Sequence, residues 1–294
     1  MSIDLHIHSN CSDGKMTIEE IFKEASRRGI SFLSVTDHDS MDCQEHANIL
    51  ADKYRIQYIY GLELNISFSY PDYNGSQFIS LDFLAYQYDI HYQPLIEKLG
   101  SLTEFRKKRA EMILEKINLE FRCENIVEFT HKDMEEIESS VDGVFGRPHI
   151  ADYMVKKGIV SNRQRAFDKY LIKCNVPKMP LSLKEASELI KGAGGRLILA
   201  HPNNPRGTSL VGLTNDISKQ QQIIKESMIK YIDGVECWHP SHDKKTSDSY
   251  LAFAMNLDMM VTGGSDCHQQ PVIMGNVKVP YYVAQQFGIN LNKI

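Results

Sequence analysis

At 294 residues, 42% of them hydrophobic, the chain can build one large α/β domain, or a domain carrying an insertion, around a sizeable core. Its formal net charge of −5 excludes the overall basic character of proteins that bind long nucleic acid by charge alone, although a local basic patch stays open. There is no apolar run of ~18 residues to span a bilayer and no basic-then-apolar leader. The six cysteines (Cys11, Cys43, Cys123, Cys174, Cys237, Cys267) include no CxxC pair, so reduced thiols in a soluble, cytoplasmic protein are expected.

The first predicted element is a short strand, Asp4-Leu5-His6-Ile7-His8. Side chains two apart on a strand share a face. His6 and His8 therefore emerge together, either as the start of a transition-metal site or as incidental histidines on a solvated strand. Asp13 follows in a loop that Gly14 lets turn back tightly. Thr17 and Glu20 make a capping box for a helix reaching Arg28, with Gly29 closing it. Ser31 to Thr36 reads as a buried strand ending in Asp37-His38-Asp39. In α/β folds the catalytic groups collect at that end of the sheet.

A helix from Met41 to Tyr54 leads to a strand from Gln57 to Leu64. Glu63 lies inside this otherwise apolar strand, which is costly unless the carboxylate is paired or metal-bound, the alternative being an edge position facing water. Pro71 to Ser76, with Asn74-Gly75 at its centre, reads as a hairpin turn. The return strand, Phe78 to Tyr86, carries a second lone acid, Asp82.

From residue 93 to 180 the sequence turns charged and helix-forming, with helices expected over Leu102–Leu119 and His131–Ser139. This block reads as a helical insertion in a main domain made of residues 1–92 and 181–294. Arg106 and Arg109 would share a helix face. Gly146-Arg147-Pro148-His149 opens another helix, where free backbone N–H groups and the dipole suit an anion. For the arginine run alone, a solvated helix face is the plain alternative.

In the last third, an amphipathic helix from Ser182 to Lys191 precedes the strand Arg196–Ala200, which ends in His201-Pro202. A helix over Ser218–Lys230 precedes Gly234-Val235-Glu236-Cys237-Trp238, ending in His239-Pro240-Ser241-His242. A helix over Ser247–Asn256 precedes Met259–Gly264, ending in Ser265-Asp266-Cys267-His268. Each strand of this half ends in His or Asp, which chance placement of eleven histidines does not explain. His239 and His242 read equally as rim residues touching substrate or as solvated loop histidines. Mixed His and carboxylate donors admit Mn, Fe or Zn.

Together, His6-x-His8, Asp13, Thr36-Asp37-His38-Asp39, Gly61-Leu62-Glu63, Ala200-His201-Pro202 and Gly264-Ser265-Asp266-Cys267-His268 resemble the polymerase and histidinol phosphatase (PHP) family. The resemblance implies an α/β fold, a distorted seven-stranded (β/α) barrel with two or three divalent metal ions at the strand C-termini. It implies that His6, His8, Glu63 and Asp266 hold one metal, that Asp13, His38 and His268 hold a second with Glu63 bridging, and that His201 serves a third. Where the family branch hydrolysing nucleoside 3′,5′-bisphosphates usually carries a His ligand, this chain has Asp82, a serviceable ligand that shifts the third position toward harder metals. By the same resemblance Arg106, Arg109, Arg147 and His149 would bind substrate phosphates, Arg through its bidentate fork. Asp37 and Asp39 would orient ligands from behind.

The implied activity is hydrolysis of phosphate monoesters of small nucleotides by a metal-bound hydroxide. Histidinol phosphate and the 5′ ends of short RNA are the alternative substrates. A non-catalytic metal-binding module is the alternative outside enzymes, against which stands the near-complete ligand set. Neither a membrane nor an obligate protein partner is implied.

Overall fold

The computed structural model describes residues 2–72, 77–139, 146–268 and 271–291. They divide into two compact units, residues 1–96 with 180–294, and residues 97–179. The centre of the expected hairpin turn, Asn74-Gly75, lies outside the described residues.

The first unit opens with strand β1 (Ser2–Asp4), helix α1 (Ile18–Arg28), strand β2 (Ile30–Leu33), helix α2 (Gln44–Tyr54) and strands β3 (Gln57–Tyr58), β4 (Gly61–Phe68) and β5 (Ile79–Tyr86). The Thr17–Glu20 capping box starts α1, and Gly29, at φ 68°, ends it in the left-handed conformation glycine favours. Ile18, Ile21, Phe22 and Ala25 make the buried stripe of α1. Enclosing a side chain such as Phe22 contributes about 1.5–3 kcal/mol.

Helix α3 (Gln93–Glu124) carries the chain into the second unit, followed by α4 (His131–Ser139), α5 (Arg147–Lys156) and α6 (Arg163–Ala166), which continues as a π-helical turn over Phe167–Leu171. This unit has its own core, in which Ile113, Ile117, Phe121, Ile137, Ile150, Met154 and Tyr170 are buried. The Phe121 ring meets Phe129 and Tyr170 edge-on, with centroids 5.1 and 5.3 Å away.

Back in the first unit come α7 (Leu183–Gly192), β6 (Arg196–Leu199), α8 (Ile217–Ile223) with a π-helical extension, β7 (Gly234–Trp238), α9 (Lys244–Asn256), β8 (Met260–Gly263) and α10 (Tyr282–Gln286). The strands form two sheets, β1-β2-β3 and β4-β5-β6-β7-β8. Two parallel bridges, Ile7 with Cys267 and His38 with Glu63, join residues beyond β1 and β2 to the other sheet's margins.

The expected strand over residues 4–8 is also shorter, since β1 ends at Asp4. Beyond it the backbone stays bound to the segment after β8: the Leu5 N–H donates to the Gly263 carbonyl, Asp266 N–H to His6 and His8 N–H to Cys267. His6 and His8 still share a side, with their Nε2 atoms 3.1 Å apart. No helix of the described residues is long and apolar enough to cross a membrane.

Candidate metal centre

Eight of the nine residues read as ligands, His6, His8, Asp13, His38, Glu63, His201, Asp266 and His268, converge from the ends of different strands. Glu63 is the hub. Its Oε2 lies 3.1 Å from His8 Nε2, 3.4 Å from His6 Nε2 and 3.2 Å from His38 Nδ1, and its Oε1 lies 3.2 Å from His201 Nε2. Asp266 Oδ1 sits 3.3–3.4 Å from His6 Nε2, His8 Nε2 and His268 Nδ1. On the outer side, His268 Nε2 is 3.3 Å from Asp13 Oδ1.

Ligand atoms within 4.8 Å of one another form the sets His8-Asp13-His38-His268, His6-His8-Asp266 and His6-Glu63-His201, with Asp82 joining His38 and Glu63 in a further set. Both Asp82 oxygens also accept hydrogen bonds, from Asn65 Nδ2 and Thr208 Oγ1. The cluster is graded in exposure: Glu63 and His6 are sealed, whereas the Asp13 side chain is 45% exposed. Its outer margin therefore stays accessible to a ligand from solution.

Two backbone features create this crowding. A Cβ at Gly264 would fall 2.4 Å from the His6 backbone nitrogen, and one at Gly14 would fall 2.3 Å from the His8 carbonyl oxygen. Only glycine permits these approaches. Asp39, His201 and Asp266 hold left-handed backbone, at φ 48°, 24° and 51°, a conformation costing non-glycine residues on the order of 1–3 kcal/mol and concentrated at functional sites.

The ring tautomers follow from fixed partners. The Nδ1–H of His268 donates to the Asp266 carbonyl at 2.9 Å, which leaves its Nε2 lone pair toward Asp13. The Nδ1–H of His6 donates to Glu236 Oε1 at 3.1 Å, which leaves Nε2 for the cluster. Asp37 accepts from Ser9 N, Ser9 Oγ and Ser12 Oγ at 2.5–2.8 Å and so holds the loop that presents Asp13. Asp39 Oδ1 accepts from Asn65 N, and its own N–H donates to the Glu63 carbonyl.

The same loop bears an unexpected tether. Cys11 is paired with Cys43 as a disulfide, Cα to Cα 6.3 Å, joining it to the start of α2. The expectation of six reduced thiols is thereby amended, with Cys123, Cys174, Cys237 and Cys267 free.

Electrostatically the cluster is a set of opposed charges under heavy burial. Burial works against charging His6, His8 and His201, yet the surrounding carboxylates outweigh it. Glu236, Asp266 and Glu63 hold His6 well above its usual value, hydrogen bonds to Asp266 and Glu63 raise His8 to about 10, and Glu63 raises His201 to about 9. Burial also opposes ionising Glu63 and Asp266, but the imidazoles hold both well below the usual carboxylate range. His38 goes the other way, lowered to about 4 chiefly by burial.

A divalent cation fits this arrangement. The donors are mixed imidazole and carboxylate, and two buried ring nitrogens, His8 Nδ1 and His201 Nδ1, have no hydrogen-bond partner among the described residues.

In the second unit, Arg109 is buried, its Nε donating to the Val176 carbonyl and its Nη2 to Asn175 Oδ1. Arg147 is half-buried, 5.6 Å from the Phe167 ring centroid. Burial, and then the Arg147 charge, lower the Arg109 pKa, so two guanidiniums stand close enough to repel. Arg106 is half-buried on α3, and His149 Nδ1 accepts the Gly146 N–H at the start of α5.

Residues the sequence reading left unassigned also enter the centre. Glu236, fully buried in β7, accepts from His6 Nδ1 and from the His201 backbone N–H at 2.8 Å. Its signal was available, an acid inside an apolar strand like Glu63. His239 Nε2 lies 3.1 Å from Asp266 Oδ2. His242 is set back: its Nδ1–H donates to the Cys237 carbonyl and its Nε2 accepts from Asn203 N.

A family model described as the PHP domain matches residues 4–192. A 5′-3′ exoribonuclease of Haemophilus influenzae is 27% identical over 275 residues, covering 90% of this chain and 89% of its own. A 3′,5′-nucleoside bisphosphate phosphatase of Chromobacterium violaceum is 27% identical over 278 residues, covering 91% and 87%. The crystal structure of a Bifidobacterium adolescentis protein assigned as a metal-dependent phosphoesterase superposes with a TM-score of 0.76 at 25% identity, over 99% of this chain and 98% of that one. With the family model spanning well over half of its length, the chain belongs to the PHP domain family and is a metal-dependent phosphoesterase.

Proposed function

We propose that the protein hydrolyses phosphate monoesters of small nucleotides, nucleoside 3′,5′-bisphosphates foremost, using two or three divalent ions drawn from Mn, Fe and Zn. The observation carrying this reading is the convergence of eight His, Asp and Glu side chains, Glu63 at their centre touching four imidazoles, open on the Asp13 side. His6, His8, Glu63 and Asp266 would hold one ion and Asp13, His38 and His268 a second. His201, with Asp82, would serve a third. Bound ions would supply Lewis acidity toward phosphoryl oxygens and lower the pKa of an attacking water. The chain's own part is to fix the donor atoms: Glu236 and the Asp266 carbonyl set the His6 and His268 tautomers, and Asp37 holds the Asp13 loop.

Arg106, Arg109, Arg147 and His149 would bind the substrate's phosphates, and the mutual repulsion of Arg109 and Arg147 supports this, since an anion would relieve it. The distorted seven-stranded barrel is the proposed architecture of the first unit, supported by the bridges at Ile7–Cys267 and His38–Glu63. A cytoplasmic location goes with a nucleotide substrate. The Haemophilus influenzae relative favours one second reading, trimming of short RNA from its 5′ end.

The test is phosphate release by Mn²⁺-reconstituted protein from adenosine 3′,5′-bisphosphate, histidinol phosphate, 5′-AMP and a short 5′-phosphorylated RNA. Preference for the bisphosphate, with Arg106→Ala raising its KM far more than that of a simple ester, is the expected result. Preference for histidinol phosphate would overturn the substrate and keep the centre. Equal effects of Arg106→Ala on both esters would remove the phosphate clamp.

A further inference from the structure

Strand β7 contributes nothing to the proposed ligand set, yet its Glu236 and His239, the residue that follows the strand, reach three of those residues. Glu236 spans two of them with one carboxylate. Oε1 takes the His6 Nδ1–H, and Oε2 takes the backbone N–H of His201. The second bond matters because His201 sits at φ 24° immediately before Pro202, a position already restricted by the proline ring. Nothing in local backbone preference keeps His201 there, whereas a buried carboxylate accepting its N–H does.

His239 follows directly on β7. The Ser241 N–H donates to His239 Nδ1 at 3.1 Å, so Nδ1 carries the lone pair and the ring proton is on Nε2. That Nε2–H therefore donates to Asp266 Oδ2 at 3.1 Å. This engages one Asp266 oxygen and leaves Oδ1, the one facing His6, His8 and His268, to the cluster.

We infer that Glu236 and His239 form a positioning pair that sets one half of the centre. They fix His6, His201 and one carboxylate oxygen of Asp266, and among the described residues make no hydrogen bond to Asp13, His38 or His268. The inference rests on the metal-binding reading above. Each residue acts through a ligand rather than on the substrate, and such outer partners typically govern metal affinity about 10–100-fold. The distinctive consequence is selectivity, because disturbing β7 should weaken metal positions built on His6 and spare the one built on Asp13.

The experiment measures bound Mn²⁺ per chain by elemental analysis, and Mn²⁺ affinity by titration, in the full-length protein. The proteins compared are wild type, Glu236→Gln, His239→Phe, His239→Gln and Asp13→Asn. A glutamine at 236 keeps the shape but can accept only one of the two bonds. A glutamine at 239 can still donate to Asp266, while phenylalanine cannot.

The expected result is that Glu236→Gln and His239→Phe each lose about one equivalent or at least tenfold in affinity for it. His239→Gln should recover most of that loss. Asp13→Asn should lose a different equivalent, so that combining it with His239→Phe is additive. Wild-type loading in Glu236→Gln and His239→Phe, or identical losses in His239→Phe and His239→Gln, would overturn the pairing. Wild type that binds no Mn²⁺ would instead sink the metal-binding reading itself. If Glu236→Gln does not fold, the two His239 variants decide alone.

Discussion

Raising the pH should tighten metal binding steeply, because the surrounding carboxylates hold His6, His8 and His201 in their charged form when no metal is present. His8 titrates at about 10 and His201 at about 9, both above the ordinary ~6.5, and a histidine must be neutral to ligate. At ~1.4 kcal/mol per pH unit, stripping the proton at pH 7 costs about 3 kcal/mol at His201 and about 4 kcal/mol at His8. His8 and His201 serve different ions in the proposed sets, so each ion displaces the proton of its own ring and its apparent affinity should rise at least tenfold per pH unit from 7, to about 9 for the ion on His201 and to about 10 for the ion on His8. The metal-free fold has the opposite slope. A histidine whose pKa is raised on folding stabilises fully below ~6.5 and loses that stability as pH climbs through its folded value. The stabilisation on adding metal should therefore grow with pH from both sides. Anaerobic Mn²⁺ titration calorimetry in two buffers of different ionisation enthalpy, at pH 7 and 8, counts the released protons. Affinity that does not change with pH, with fewer than one proton released, would refute the reasoning.

Other outcomes follow from particular contacts. Glu63→Ala removes the carboxylate that touches four imidazoles and should cut phosphate release by about 10³-fold, ~4 kcal/mol, with loss of bound metal checked by elemental analysis. Phe121→Ala should destabilise residues 97–179 by about 3–5 kcal/mol, read by hydrogen exchange, while metal content stays at the wild-type level. Cys43→Ser opens a disulfide spanning 32 residues and should lower stability by about 2–4 kcal/mol in denaturant melts. An unchanged midpoint would show that the bond does not constrain the unfolded chain.

That these side chains would cluster was legible because buried acids and strand-end histidines are chemically expensive unless used, and that cost is visible one residue at a time. The same signal marked Glu236, but its use is tertiary. Its partners lie 230 and 35 residues away, and no local pattern distinguishes a residue that ligates from one that holds a ligand. Boundaries failed where tertiary bonds override local pattern. The expected strand from Gln57 to Leu64 breaks after Tyr58 because β3 pairs with β2, whereas β4 runs on to Phe68 along β5. The helix expected over Ser218–Lys230 passes into a π turn at Ile224, a change of hydrogen-bond register that periodicity does not reveal. Helix α1 was legible because its stop and start are side-chain chemistry at Thr17, Glu20 and Gly29.

The order of ligands along the chain bears on how the protein is made. Glu63 and the residues before it emerge from the ribosome long before His201, Asp266 and His268, with the whole of residues 97–179 synthesised in between. A nascent chain halted anywhere before Asp266 carries His6, His8, Asp13, His38 and Glu63 but lacks the partner that faces His6 and His8. The residues that form the core of the intervening unit are all synthesised during that wait. On the proposed ligand sets, the complete metal site can form only late in biogenesis, from segments separated by most of the polypeptide.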